Sequence, residues 1–371
     1  MNINRRELMK LSGMGVAGLA VTAPKIRSAF AGDIPQNQLA DLSGNENPYG
    51  PAPLVREALG GKIEMVNRYF YAKQKELVKQ IAEHEGVTTD HIVLGAGSSE
   101  VLCASILAYT SSEKRVLTAD QSYSAIPAFT NGIGRKVVFV PVDDELKFDL
   151  NALYSRINNE IGLVYICNPN NPTGTMVDAD KLRDFSASMP KNTIILIDEA
   201  YLEFSENFER DTMIDFVKKG HNVIVTRTFS KIHGLAGMRM GYSIAPPNIS
   251  KNIVSHKMCK FMGPLGVVAA SISLKQFEFH EFCRNKAKEG RNLVFNLCEQ
   301  LGLDYAYGVG NFVFLDPKMP HAEFKKRMKM KGVDTARSFS PRKDWARITI
   351  GTTEEMNVFA KVFPEVINSY P

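Results

Sequence analysis

The 371-residue sequence predicts an α/β protein: a large domain built on a seven-stranded, mostly parallel sheet, followed by a smaller α+β domain. Two observations carry this. Between residues 92 and 245, seven short β-rich runs alternate with helical patterns, and most of the runs are continuously apolar. Strands that alternate with helices form crossover units, and a strand apolar on both faces is one covered by helices on both sides. After residue 250 the alternation stops, and a long helical region leads to two β-rich runs separated by a basic helix.

Taken in order, the chain begins with "NRRELMKLSGMGVAGLAVTAPKIRSAFAG", a charged start at Arg5-Arg6, an apolar run from Leu11 to Ala23, and Ala29-Phe30-Ala31. This is the layout of a cleavable export signal, and the paired arginines resemble a twin-arginine signal. The apolar run of residues 11–23 falls short of the roughly 20 residues a membrane-crossing helix needs, so no stable membrane anchor is expected. Residues 1–31 are therefore expected to be a signal, with the mature chain exported folded to a periplasm-like compartment, or cytoplasmic if the signal does not function.

Residues 32–60 read as an arm, Gly/Pro/Asn-rich at "LSGNENPYGPAP" (42–53), that joins the smaller domain. The large domain is expected over 61–262, and its strands are "IVLG" (92–95), "RVLTAD" (115–120), "VVFVPV" (137–142), "GLVYICNP" (162–169), "TIILIDEAY" (193–201), "VIVTRTF" (223–229) and "GYSIA" (241–245). The smaller domain, 263–371, holds "NFVFLD" (311–316), "AEFKKRMKMKG" (322–332), "ARITIG" (346–351) and a last helix from about Thr353.

Composition narrows the function. Apolar and charged fractions of 44% and 23% are those of a soluble globular protein. A net charge of +5 without a Lys/Arg block gives no sign of a nucleic-acid partner. Five widely spaced cysteines signal neither a metal site nor a disulfide framework.

Ligands of parallel sheets sit beyond the carboxyl ends of the strands, and the chemistry-bearing residues gather there. "GAGSSE" (95–100) runs a strand into a helix start, so the N–H groups of Ala96, Gly97 and Ser98 form an anion seat or a plain tight turn. "NPNNPTG" (168–174) offers the amide of Asn171. In "IDEAY" (197–201), Asp198 ends an apolar strand where an unpaired carboxylate is costly, and Tyr201 lies three residues on. In "TRTFSKIHGLAGMRMGY" (226–242), Lys231 is a candidate nucleophilic amine, Ser230 and Arg239 suit a phosphate, and "GLAG" (234–237) allows close approach of backbone to a ligand. An amine able to form a Schiff base, a carboxylate for a protonated ring nitrogen and a phosphate cradle together describe a pyridoxal-phosphate site. Asn171 and Tyr201 would hydrogen-bond its phenolic oxygen. Tyr123, which alone reads as core, would stack on its ring.

These motifs, in this order and spacing, resemble the class I/II aminotransferases of fold type I. "NENPYGP" and "ARITIGTTEEM" are similar to the histidinol-phosphate aminotransferase subgroup, and the likeness spans about residues 40–365. The resemblance implies a ping-pong transaminase acting on an amino acid, or a histidinol phosphate-like amine, and a 2-oxo acid. Lys231 would hold the cofactor and move the proton, and Arg347 would bind the substrate carboxylate with Arg337 as a second anion contact. Tyr49 and Asn311 would line the pocket, and Tyr69, in "NRYFYAK", would reach the phosphate of the neighbouring subunit in a homodimer. The chain departs from the family at Phe70, where proline is usual, and in "SFSPRKDW" (338–345). A related enzyme with the same cofactor site, an amino-acid-phosphate decarboxylase or a C–S lyase, is the alternative.

Overall fold

The computed structural model describes residues 39–370, all within one compact unit. The segment expected to be an export signal lies outside the described residues. The chain enters through β1 (Ala40–Leu42). The large sheet is then built from β2 (Ile92–Ala96), β3 (Arg115–Ala119), β4 (Val137–Val140), β5 (Ile161–Cys167), β6 (Ile194–Asp198), β7 (Val223–Thr228) and β8 (Met240–Ile244). All seven β-rich runs therefore become strands of one sheet, ordered β2-β8-β7-β6-β5-β3-β4.

Strands β4, β3, β5, β6 and β7 pair in parallel, and β8 is antiparallel to both β7 and β2. Only β8 thus runs backwards. The carboxyl ends of β2, β3, β5, β6 and β7 fall on one edge of the sheet, and β8 starts at that same edge, directly after Arg239. Motifs spread over more than a hundred residues are brought together by this topology. The sheet's centre is dry: every residue of β5, β6 and β7 is buried, as helices on both faces require.

The C-terminal third forms a three-stranded antiparallel sheet, β12-β10-β9, from β9 (Tyr305–Ala306), β10 (Phe312–Leu315) and β12 (Ala346–Thr349). β11 (Val333–Thr335) pairs instead with β1, in parallel. The last helix, Thr353–Asn368, starts at a capping box in which Thr352 and Glu355 satisfy each other's backbone N–H. Its buried residues Met356, Phe359, Val362, Phe363 and Val366 recur at helical spacing and pack with Leu42, Phe324 and Val333 in one core. Phe359 and Phe363 have no exposed surface and stack at 4.8 Å, so truncating either would cost about 3–5 kcal/mol. β1, β9 and β11 are three residues or fewer, too short for a periodicity to announce them.

Candidate active site

At the carboxyl edge of the sheet lies a cavity of about 350 Å³. Ten of the fifteen residues singled out from the sequence line it: Ser98, Tyr123, Asn171, Asp198, Tyr201, Ser230, Lys231, Arg239, Arg337 and Arg347. Each arrives from a different place. Asp198 is the last residue of β6, Ser230 and Lys231 follow β7, and Arg347 comes from β12 of the smaller sheet.

Asp198 is 3% exposed. The Tyr165 hydroxyl donates to its Oδ2 at 3.0 Å, and Thr226 Oγ1 and the Ala200 N–H donate to its Oδ1 at 3.1 and 3.3 Å. Burial pushes this carboxyl above its ordinary value, against the pull of those donors and of Lys231. Hydroxyls and one N–H orient the group without neutralising it, so a cationic ring nitrogen set against it would supply the counter-charge.

A hydrogen-bonded chain crosses the cavity. Arg347 Nη1 donates to Asn171 Oδ1 at 2.8 Å, and Asn171 Nδ2 donates to the Tyr201 hydroxyl oxygen at 3.2 Å. Asn45 Nδ2 donates to the same oxygen at 3.2 Å, while Lys231 Nζ donates to the Asn45 carbonyl at 3.0 Å. Both lone pairs of Tyr201 are thereby used, which leaves its O–H free to donate into the cavity. Arg347 also donates to the Ser43 carbonyl at 2.7 Å and lies over the rings of Phe312 and Phe339. Its Nε is buried without a partner. Burial draws its guanidinium down to about 10, still cationic at neutral pH.

The phosphate end differs from expectation. The Ala96 N–H is taken by Glu100 Oε2 at 2.7 Å, and neither Ala96 nor Gly97 is among the lining residues. Gly97, at φ +72°, makes room: a Cβ there would sit 2.4 Å from Arg239 Nη2. Ser98 and Ser99 line the cavity in their stead. Arg239 itself holds φ +51°, a left-handed conformation uncommon for a non-glycine residue, and donates to the Ala236 carbonyl at 2.8 Å and to Ser230 Oγ at 3.4 Å.

Gly234, the first glycine of "GLAG", also has another role. A Cβ on Gly234 (φ +68°) would lie 2.1 Å from the Gly50 carbonyl oxygen, so this glycine admits the N-terminal arm rather than a ligand. Tyr49 and Asn311 line a separate small crevice beside Cys283 and Phe204. There the Tyr49 ring meets Phe282 edge-on at 4.9 Å, and Asn311 Nδ2 donates to the Glu46 carbonyl at 3.0 Å. Tyr69 lies outside the cavity, 80% exposed, its ring tilted against Phe261 at 4.7 Å. Sequence reasoning missed Asn45, Tyr165 and Thr226. The only local signal among them is Asn45, an asparagine at φ +54° in a turn-forming arm.

The residues present fit pyridoxal phosphate. Three hydroxyls (Ser98, Ser99, Ser230) and Arg239 line one end for a phosphate. Asp198 lies at the strand end, Asn171 and Tyr201 offer donors, and Lys231 supplies the amine.

Comparison with known proteins agrees with this geometry. The family model described as aminotransferase class I and II matches residues 37–363. The histidinol-phosphate aminotransferase of Brevibacillus brevis is 32% identical over 336 residues, which span 89% of this chain and 91% of that one. Among solved structures, a putative histidinol-phosphate aminotransferase from Erwinia carotovora atroseptica has a TM-score of 0.85 at 34% identity, over 88% of this chain and 95% of that one. The histidinol-phosphate aminotransferase of Sinorhizobium meliloti, solved in complex with pyridoxal-5'-phosphate, has a TM-score of 0.83 at 27% identity, over 96% of this chain and all of that one. The chain belongs to the class I and II aminotransferases and is a pyridoxal-phosphate-dependent transaminase.

Proposed function

We propose that the enzyme moves an amino group between a primary amine bearing an anionic group, an amino acid or histidinol phosphate, and a 2-oxo acid. The observation that carries this is Arg347, a buried cation at the cavity wall whose Nε has no partner among the protein's own groups. A carboxylate or phosphate there gains a charge-assisted hydrogen bond, and donor and acceptor substrates can each use it in turn.

When bound, pyridoxal phosphate supplies an electron-accepting ring that stabilises the charge left when the amine-bearing carbon loses its proton. Ser98, Ser99, Ser230 and Arg239 would hold the phosphate, and Asp198 would keep the ring nitrogen protonated. The Tyr201 O–H and Asn171 orient the ring through its phenolic oxygen, and Tyr123 covers a face. Lys231 Nζ would serve as the base that takes the proton from the substrate's amine-bearing carbon. Because both substrates meet the same groups, ping-pong kinetics follow.

The Sinorhizobium and Brevibacillus relatives support histidinol phosphate as one donor. The test is product analysis of the purified holoenzyme with candidate donors and 2-oxoglutarate. Glutamate appearing in step with the oxo product supports transfer, whereas carbon dioxide or a released thiol in its place would assign the decarboxylase or lyase chemistry.

We infer too that two copies assemble. Tyr69 and Tyr71 are exposed aromatic rings against Phe261, Leu54 and Ile63 are exposed as well, and Tyr69 would act from the partner subunit. Light scattering that gives a monomer mass would rule this out. Export rests on residues 1–31 alone; a fractionation in which Arg5→Lys with Arg6→Lys leaves the distribution unchanged would refute it.

A further inference from the structure

Two residues beyond Tyr201 stands Glu203, and two residues beyond Lys231 stands His233. Inside the cavity, Lys231 Nζ lies over the Tyr201 ring, 5.3 Å from its centre. Outside it, His233 Nε2 and Glu203 Oε1 are 3.1 Å apart. Neither His233 nor Glu203 lines the cavity. The segments that follow β6 and β7 therefore meet twice, once through the groups that face the cofactor and once through a pair that does not.

Each member of this second pair is anchored beyond its partner. His233 is buried, and its Nδ1 lies 2.8 Å from Oγ of Ser273, the last residue of the helix Pro264–Ser273. The rings of Phe229 and His280 lie against it at 4.7 and 4.4 Å. Glu203 sits in the turn Leu202–Phe204, and Arg284 Nε donates to its backbone carbonyl at 2.9 Å. Burial opposes the charge of Glu203, but His233 outweighs it and holds the carboxyl down at about 2. An ionised carboxylate can only accept, so His233 Nε2–H is the donor. Ser273 can then donate to Nδ1 of a neutral ring or accept from it when the ring is charged, so the frame holds in either state. On the backbone side, the Gly234 N–H donates to the Lys231 carbonyl at 3.0 Å, which puts His233 third in a four-residue turn that begins at Lys231.

Building on the transaminase reading above, in which Lys231 takes the substrate's proton, we propose that His233 and Glu203 are positioning residues. Their hydrogen bond fixes the turn that presents the Lys231 amine against the segment that presents the Tyr201 hydroxyl. Lys231 has two tasks, holding the cofactor and reaching a proton on the substrate, and the second tolerates little misplacement: a shift of about 1 Å can cost on the order of a hundredfold in rate. Since neither residue touches the substrate, the brace acts on rate and leaves binding alone.

His233→Phe tests this by keeping a ring in place and removing both nitrogens. The holoenzyme is mixed with glutamate, and a single turnover is followed by the bound cofactor's absorbance. The rate constant falls by about tenfold to a hundredfold, while the glutamate concentration that gives half the maximal rate stays within about twofold. The pH midpoint of the cofactor's absorbance moves as well, because it reports the surroundings of the lysine amine. His233→Gln, whose side-chain amide still offers a donor to Glu203, recovers most of the rate. Should His233→Phe not fold, Glu203→Leu breaks the same bond from the other side. A role confined to stability lowers the amplitude of the absorbance change, since fewer molecules are folded, and spares the rate constant. An unchanged rate constant therefore overturns the proposal, as does a fall in His233→Phe that His233→Gln repeats in full. If the unmodified holoenzyme gives no absorbance change with glutamate or with histidinol phosphate, it is the transaminase reading that fails instead.

Discussion

The hydroxyl of Tyr165, fully buried on β5, donates to Oδ2 of Asp198 on β6 at 3.0 Å. From the opposite neighbour, β7, Thr226 donates to Oδ1. The carboxylate is thus held by both strands that flank it, and its plane is set by the sheet rather than by a loop. Such fixed geometry is what a group facing a ring nitrogen needs.

Tyr165→Phe removes that donor and little volume. One hydrogen bond to a charged group is worth about 1.5–3 kcal/mol, so kcat is expected to fall by roughly tenfold to a hundredfold. The pH dependence of the bound cofactor's absorbance is expected to shift as well. A variant with unchanged kcat and spectrum would remove Tyr165 from the site.

Arg347→Lys keeps a cation but loses the planar fork that reaches Asn171 Oδ1 and the Ser43 carbonyl together. The expected result is a rise in KM for carboxylate substrates of about tenfold to a hundredfold, near 1.4–2.8 kcal/mol. Cofactor retention is expected to be unaffected. Steady-state kinetics with two amino donors checks both statements.

Gly234→Ala should cost stability rather than chemistry. Its φ of +68° disfavours a side chain, and the new Cβ would meet the Gly50 carbonyl oxygen at 2.1 Å. A loss of about 2 kcal/mol or more is expected, read as a lower denaturation midpoint.

Some of this was legible in the sequence and some was not, for physical reasons. All seven strands of the large sheet announced themselves as short β-rich runs, and the central β5, β6 and β7, buried on both faces, read as apolar stretches. Asp198, Ser230, Lys231 and Asn171 were visible because polar groups at apolar strand ends need a purpose, and Arg347 came from the likeness of "ARITIGTTEEM" to the family. Tyr165 was hidden by the same rule, since a tyrosine inside "GLVYIC" looks like core until its hydroxyl is seen to find Asp198, 33 residues on. Asn45 binds Tyr201 across 156 residues, a distance that no local pattern records. The engaged N–H of Ala96 has a similar origin: it donates to Glu100, and a side chain folding back four residues is not apparent from small-residue composition.

A histidine cluster behind the lysine loop sets an acid limit on stability. His233 shares one ring nitrogen with Ser273 at 2.8 Å and the other with Glu203 at 3.1 Å, and its ring meets His280 at 4.4 Å. Burial, then the neighbouring His233, draws His280 down to about 3, while Glu203 opposes and Arg284 and His84 add to the fall. The native state therefore keeps His280 neutral where the unfolded chain protonates it at its ordinary value near 6.5. Stability is lost as pH falls from 6.5 towards 3, by roughly 4 kcal/mol at the bottom of that window. His280→Gln removes that share of the acid sensitivity. Denaturation midpoints recorded across the window for both proteins would show parallel curves if the cluster had no such role.

Borohydride reduction of the purified, cofactor-loaded protein, followed by peptide mapping, tests the central claim most directly. The account predicts a pyridoxyl mass increment on the peptide containing Lys231, and its loss with the cofactor's colour in Lys231→Ala. An increment on a different lysine, or a coloured protein whose Lys231 peptide stays unmodified, would contradict it.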